Sequence, residues 1–454
     1  MNLRVLIYSN PLVVDKISKK FLFWKDSGFI FTKNLITSLP KDWRYYWLIP
    51  ENITEEQKQW FLDSNDNISL IPYPYSTSIH QNRYNFYGNV LKKNFPYTKD
   101  IDIVLNNQPE VAANLKSFFD NQRRDNPPIF NFFHWIDCEE SRKFAQELAG
   151  YFWREYDGIL NAEISYFHNE YAYSLFNYMV NKEIKNPYPF YYSFFNPPAT
   201  SFGSSQIALP DKKIILFNHR LNNTTNYKFF IDCIEKLHEI RDDFVVWFTD
   251  DSDKNKSRIL EKPYIINRSL SSEEYGYLLS NSYFSVCVHK GYSTWNMAVI
   301  DAINANCFTI VPSTEKVYID MFKQADLTMY HSNTIEDIVS KMNSLLDTPS
   351  IELKNRTKEI KRIFPNYFSN SCFENIKNNI EISIGKRCTY KEITKYAEVR
   401  DFIKEKPGVT KEEIVNKFWS FHVNSNFQKI RWKLMLEDKA VDDTTQDVTQ
   451  YSIS

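Results

Sequence analysis

Residues 283–313 read YFSVCVHKGYSTWNMAVIDAINANCFTIVPS, and this stretch decides the fold. Tyr283–His289 and Cys307–Pro312 are apolar runs of strand length, and Ser293–Asn304 between them has helical spacing. Strand, helix and strand in that order make a parallel crossover, because parallel neighbours need a long connection. Ligands of such sheets bind beyond the carboxyl ends of the strands, where a helix N-terminus offers unpaired N–H groups and a positive dipole to an anion. His289, Lys290, Gly291, Tyr292, Ser293 and Thr294 fall there, with Ser293 and Thr294 as the expected N-caps. Asp301 follows two turns down the same helix. These residue types suit a phosphate-bearing ligand.

Outward from this stretch the same alternation fills most of the 454 residues. On the amino-terminal side, strands are expected at Leu3–Tyr8, Tyr45–Ile49, Ile68–Pro72, Ile101–Asn106, Ile129–His134 and Gly158–Asn161. Helices are expected at Phe29–Ser38, Glu55–Ser64, Glu110–Phe119 and Glu139–Tyr156. A second block opens at Lys213, with strands at Ile214–Asn218, Phe244–Thr249 and Tyr264–Asn267. Its helices are Asn226–Arg241, Ser271–Leu279 with Ser271 as N-cap, Thr334–Leu346 and Ile351–Phe364. Between the blocks, YPFYYSFFNPPATSFGSSQIALPDK (188–212) is rich in proline and reads as a crossover between domains. The expected fold class is therefore α/β, with two Rossmann-like domains over residues 1–195 and 211–380 facing each other across a cleft.

Residues 389–454 differ in kind. Helices are expected at Thr389–Lys406, at Thr410–Phe418 behind a capping box of Thr410 and Glu413, and at Asn424–Glu437. Ala440–Asp443 and Gln450–Ile453 then pair as a hairpin. Three helices and a terminal hairpin resemble a winged helix–turn–helix. In that arrangement Asn424 and Asn426 lie nearest the bases of duplex DNA, and Lys429, Arg431 and Lys433 contact phosphates.

Composition narrows the function. Hydrophobic residues are 43 % and aromatic residues 16 %, with no apolar run of membrane-spanning length. The opening MNLRVLIYSN runs straight into a strand, without the layout of a signal peptide. A cytoplasmic monomer with no membrane partner is expected, in a bacterial host if a phage encodes it. The six cysteines show no Cys-x-x-Cys spacing and read as reduced core thiols. A net charge of −1 neither suggests nor excludes a nucleic-acid partner. Nine glycines and neither GxGxxG nor GxxxxGK[ST] argue against an ordinary dehydrogenase or a P-loop enzyme. No His, Cys and carboxylate cluster has metal-site spacing, and no Ser–His–Asp or Cys–His signature is present.

The crossover unit resembles the donor site of retaining glycosyltransferases of the two-Rossmann (GT-B) type, phage DNA base glycosyltransferases among them, and the resemblance covers residues 1–380. In that family a helix carries two acids with seven residues between them, followed by a small-residue turn and an apolar strand. Asp301, in DAINANCFTIV, stands at the second acid, and Ser293 stands where the first would be. The resemblance implies a nucleotide-sugar co-substrate, a UDP-sugar above all, with no tightly bound cofactor and no metal. It implies that Arg220 and Lys228 neutralise the donor diphosphate, that Asp301 holds the ribose, and that Gly291, Ser293 and Thr294 surround the phosphates. Asn267 and Arg268 fall beside the nucleotide base, and Asp26, Ser27 and Gly28 form a loop facing the donor. His134 would hydrogen-bond the transferring sugar, and Asp137 would act as base toward an acceptor hydroxyl.

Three readings follow. The chain is a retaining glycosyltransferase acting on hydroxymethyl-pyrimidines of duplex DNA, held there by its tail, and its Asn-, Lys- and Ile-rich composition fits an AT-rich phage genome. Alternatively it glycosylates polysaccharide or protein, with the tail as an interaction module. The third reading is a non-catalytic DNA-binding protein on a glycosyltransferase fold.

Overall fold

The computed structural model describes residues 3–11, 21–23, 26–75, 85–94, 101–121, 126–134, 136, 149–192, 207–221, 225–249, 261–268, 270–289, 295–313, 318, 329–368, 371–388, 396–418, 441–443 and 450–452. Contacts divide the chain into two units, one of Met1–Cys138, Lys143–Phe190 and Ser371–Ser454, the other of Glu139–Arg142 and Tyr191–Asn370.

The first unit carries β1 (Arg4–Tyr8), α1 (Ser27–Ser38), β2 (Arg44–Pro50), α2 (Glu55–Leu62), β3 (Ile68–Tyr73), α3 (Gly88–Asn94), β4 (Ile103–Asn106) and α4 (Ala112–Asn121). It continues with β5 (Ile129–Phe133), α5 (Ala149–Asn161), β6 (Ile164–Phe167), α6 (Glu170–Val180) and β7 (Pro187–Pro189). The seven strands lie in the order β3-β2-β1-β4-β5-β6-β7, and every pair is parallel. A parallel sheet covered on both faces needs strands that are apolar throughout. RVLIY of β1 and IFNFF of β5 come close to that, with every residue buried and only Arg4 and Asn131 polar. Asp26 starts α1 by accepting from the N–H groups of Gly28 (3.0 Å) and Phe29 (3.3 Å).

One expected strand is corrected. Gly158–Asn161 is the last turn of α5, and the strand is Ile164–Phe167. The glycine that suggests a break serves a close approach instead. A Cβ at Gly158 would sit 2.1 Å from the carbonyl oxygen of Pro109, and Asn131 Nδ2 donates to the Gly158 carbonyl at 3.0 Å.

The second unit carries β8 (Lys213–Phe217), α7 (Tyr227–His238), β9 (Phe244–Phe248), β10 (Ile265–Asn267), α8 (Ser272–Asn281), β11 (Phe284–Val286), α9 (Met297–Asn304) and β12 (Phe308–Pro312). After it come β13 (Tyr330–His331), α10 (Ile335–Asp347), α11 (Ser350–Ile363) and the single turn α12 (Pro365–Phe368). Its six-stranded sheet, also parallel, has the order β10-β9-β8-β11-β12-β13. Ser271 caps α8 through a reciprocal box with Glu274. The crossover helix α9 starts later than its sequence suggests. Asn296 is its N-cap, not Ser293 or Thr294, because the Asn296 side chain accepts from Val299 N.

Helix α13 (Ser371–Cys388) belongs to the first unit, so residues 371–380 part from the second block with which the sequence groups them. Phe373 meets Phe31 at 5.8 Å, Asn379 Nδ2 donates to Tyr166 Oη at 3.1 Å, and Ser383 Oγ donates to Glu163 at 3.0 Å. The tail holds α14 (Tyr396–Glu405), β14 (Val409–Thr410), α15 (Lys411–Phe418), β15 (Val441–Asp443) and β16 (Gln450–Ser452). Its strands form an antiparallel sheet in the order β14-β16-β15. Val399, Ile403, Val409 and Ile414 are its buried apolar residues. The capping box is present, with Glu413 N donating to Thr410 Oγ1 at 3.2 Å and Thr410 N to Glu413 at 2.8 Å. The expected helix Asn424–Glu437 lies outside the described residues. Cys233, Cys287, Cys307 and Cys372 are buried thiols outside any disulfide. Among the described residues no helix is long and apolar enough to cross a membrane.

Candidate functional site

In each sheet the strand order reverses once, between β1 and β4 in the first unit and between β8 and β11 in the second. Neighbouring strands there send their connections to opposite sides, which leaves a crevice at their carboxyl ends. Both crevices are lined with polar residues.

In the first unit Ser9 and Asn10 follow β1, while Asn107 and Gln108 follow β4, and all four are buried. Asn106 and Asn131 are register partners on β4 and β5, and Asn106 Nδ2 donates to Asn131 Oδ1 at 2.8 Å. Asn106 also holds the turn after β4, through the Gln108 carbonyl (2.9 Å) and the Gln108 N–H (3.1 Å). His134, just past β5, places Nε2 2.8 Å from Asn107 Oδ1. Asn107 Nδ2 lies 2.8 Å from Thr32 Oγ1, which donates to the Gly28 carbonyl at 2.6 Å. The loop and the histidine singled out in the sequence thus meet: a Cβ on Gly28 would stand 3.5 Å from both Asp26 Oδ1 and the His134 ring.

Burial, with neighbouring His168 adding to it, holds the His134 pKa well below the usual histidine value, so the ring is neutral. His134 Nδ1 is enclosed and has no hydrogen-bond partner among the described residues. An enclosed acceptor left that way costs roughly 1–3 kcal/mol, which a ligand donor would recover. His168 Nε2 donates to the His134 carbonyl at 3.2 Å, and burial pulls the His168 pKa down to about 3.

In the second unit Asn218, after β8, ties three elements together. Its Nδ2 donates to Tyr275 Oη on α8 (3.0 Å) and to the Ala298 carbonyl in the first turn of α9 (2.8 Å), and its Oδ1 accepts from Ser285 on β11 (3.1 Å). Tyr275 Oη reaches Asp301 at 3.5 Å, and Asp301 is buried. His219 is buried as well, its ring 6.1 Å from that of His289, which lies three residues past the end of β11. Desolvation lowers the His219 pKa to about 3 and that of His289 to about 4, and His219 Nε2 has no partner among the described residues.

Arg220 and Lys228 are exposed at this end of the sheet, and among the described residues neither is in an ion pair. Lys228 lies in the first turn of α7, whose N-cap Asn226 is left-handed (φ 56°) and makes no side-chain cap. Arg268, just past β10, is already paired with Glu274 at 2.5 Å. Asp137, Gly291, Ser293, Thr294, Asn424, Asn426, Lys429, Arg431 and Lys433 lie outside the described residues. Sequence reading missed Thr32, Asn107, Tyr275 and Asn296. For Asn107 a signal existed, since NNQ directly after an apolar strand puts amides at a strand's carboxyl end. Thr32 and Tyr275 sit inside helices, where nothing local marks them.

No family model matches the sequence, and no curated protein is significantly similar to it. Solved structures do resemble it. HepE from Anabaena, in complex with UDP and glucose, matches with a TM-score of 0.60 at 7 % identity, covering 85 % of this chain and 100 % of that one. The trehalose-6-phosphate synthase OtsA matches at 0.57 and 10 %, covering 83 % and 99 %. The lipopolysaccharide outer core galactosyltransferase WaaB matches at 0.53 and 11 %, covering 84 % and 100 %. The fold is that of the GT-B glycosyltransferases. These GT-B likenesses span nearly the whole of each neighbour. At such identities they establish the fold alone.

Proposed function

We propose that this chain is a nucleotide-sugar-dependent glycosyltransferase that moves the sugar of a UDP-sugar, with retention, onto the hydroxyl of a hydroxymethyl-pyrimidine in duplex DNA. The observation that carries the reading is the pairing of a GT-B fold with polar groups at both strand-order reversals. One reversal ends in neutral hydrogen-bonding groups around His134, and the other is rimmed by the exposed cations Arg220 and Lys228. In this reading Arg220 and Lys228 take up the charge that develops on the departing diphosphate, without a metal and without reorganisation in the transition state. Asp301 takes the ribose hydroxyls, since a carboxylate only accepts and can serve two hydroxyls. Asn267 and Arg268 flank the base, and Gly291, Ser293 and Thr294 approach the phosphates. Asp26, Ser27, Gly28 and His134 face the sugar, with Asp137 toward the acceptor.

The DNA acceptor is supported by the tail, where two helices and a three-stranded antiparallel sheet follow the order of a winged helix. Asn424, Asn426, Lys429, Arg431 and Lys433 would supply its DNA contacts, and tethering would raise the acceptor concentration at the site. The test is incubation with hydroxymethylated duplex DNA and a panel of UDP-sugars, followed by nucleoside mass spectrometry and NMR of the anomeric configuration. A glycosylated nucleoside with the donor's configuration is expected. UDP-sugar hydrolysis without DNA modification would shift the acceptor to polysaccharide or protein. Absence of any UDP-sugar turnover would leave a non-catalytic protein.

A further inference from the structure

The hydrogen-bond chain that ends at His134 has a fixed direction. Thr32 Oγ1 lies 2.6 Å from the Gly28 carbonyl oxygen, which only accepts, so the hydroxyl proton is committed there. Thr32 Oγ1 must therefore accept from Asn107, 2.8 Å away, and the Asn107 atom facing it is Nδ2. This orients the amide and turns Oδ1 toward His134 Nε2 at 2.8 Å. An amide oxygen cannot donate, so Nε2 carries the proton of the neutral ring. Nδ1 is then a bare lone pair, the atom with no partner among the described residues. Asn107 is itself anchored, its N–H donating to the Tyr8 carbonyl at 2.9 Å at the end of β1.

We propose that Asn107, oriented by Thr32, is a positioning residue that sets His134 as the Nε2–H tautomer, so that Nδ1 accepts a hydrogen bond from a hydroxyl of the bound sugar. The inference deepens the glycosyltransferase reading and rests on it for the identity of the ligand. The tautomer itself does not. It also gives the subsite a chemical preference: a hydroxyl can donate to Nδ1, whereas a carboxylate in its place cannot.

The test uses the full chain labelled with ¹⁵N-histidine, with His134→Gln to assign the His134 signals among the eight histidines. Imidazole nitrogen–proton correlations should show a protonated Nε2 and a bare Nδ1 in the wild type. Thr32→Val keeps the shape but removes the acceptor for Asn107 Nδ2, so the amide can turn and the Nδ1–H form should rise to a comparable population. Thr32→Ser should restore the wild-type spectrum. With UDP-glucose as probe, Thr32→Val should lower kcat/KM roughly tenfold, as for one lost hydrogen bond, with unchanged UDP affinity and recovery in Thr32→Ser. An Nδ1–H tautomer in the wild type overturns the proposal, and so does an unchanged tautomer in folded Thr32→Val. If Thr32→Val does not fold, the wild-type spectrum alone decides. The expected tautomers with no turnover of any UDP-sugar in the panel would overturn the glycosyltransferase reading and leave the positioning role intact.

Discussion

The two sheets reverse their strand order in the same way but finish in opposite chemistry. In the first unit the strand ends are neutral and tied to one another, with Asn106 against Asn131 and Gln108, and Asn107 between Thr32 and His134, whose Nδ1 stays open among the described residues. In the second an equally tied floor, Asn218 with Ser285, Tyr275 and Ala298, carries a rim whose cations face solvent. One arrangement suits hydroxyls, which need oriented donors and acceptors. The other suits an anion, which needs charge that is not already neutralised. The same topology thus ends in two different chemistries, and their difference lies in a handful of residues after β1, β4, β5 and β8.

The largest expected effect is at the cationic rim. Arg220→Ala and Lys228→Ala should each lower sugar transfer by about two to three orders of magnitude, the range for losing one preset charge partner. Both side chains are exposed, so melting temperatures should hardly move. Steady-state kinetics beside thermal melts checks this. Wild-type rates in both variants would remove the contrast between the two sheets. Asp301→Ala should mainly raise the KM for the donor.

The neutral network should show the reverse pattern. Asn106→Ala leaves Asn131 Oδ1 and the Gln108 N–H buried without their partner, while the Gln108 carbonyl keeps the Val111 N–H at 3.0 Å. It should cost roughly 2–4 kcal/mol of stability while leaving UDP affinity within about twofold. Chemical denaturation and calorimetric UDP titration measure the two quantities separately. A fall in UDP affinity as large as the fall in stability would show that the first sheet's network also supports nucleotide binding.

Why the first network was harder to read than the second rim follows from its chemistry. The alternation of apolar runs and helices sets the strands, and Arg220 and Lys228 stand out because the family resemblance expects an arginine at this strand end and a lysine shortly after it. Amides and hydroxyls are common, and their meaning lies in partners far along the chain: Thr32 and Asn107 are 75 residues apart. Gly158 misled for a similar reason, since only the approach of Pro109 explains it. The N-cap of α9 was placed too early because Ser293 and Thr294 are better-known caps than Asn296, and sequence alone gives no distance to Val299. Residues 371–380 follow the second block without a break in composition, and only the contacts of Phe373 and Asn379 assign them elsewhere.

Acid should weaken the second unit through its histidines. Desolvation lowers His219 to about 3 and His289 to about 4, from an ordinary value of 6.5. The unfolded chain therefore binds protons below pH 6.5 that the folded chain refuses. Stability is complete above pH 6.5 and is lost progressively as pH falls toward 4 and then 3. His219→Phe removes one such group beside Phe217, and should flatten the fall by up to about 1.4 kcal/mol per pH unit between pH 6 and 4. Denaturation midpoints across that range test it, and an unchanged slope would mean that His219 is protonated in the folded state.

The smallest effect should come from Arg268, a basic residue past a strand end in the same sheet as Arg220. Its guanidinium meets Glu274 at 2.5 Å, and Glu274 is also the carboxylate of the capping box that starts α8. An arginine so neutralised offers an incoming phosphate little net charge. The pair is largely exposed on the Arg268 side, so breaking it should change stability by no more than about 1 kcal/mol. Arg268→Ala should accordingly raise the KM for a UDP-sugar less than threefold, about 0.7 kcal/mol, far below the effect at Arg220. The residual capping box should still hold, because Ser271 Oγ accepts from Glu274 N whether or not the carboxylate is paired. A tenfold or larger rise in KM would mean that Arg268 leaves Glu274 for the nucleotide when the donor binds, and that the cationic rim extends from β8 to the edge of the sheet at β10.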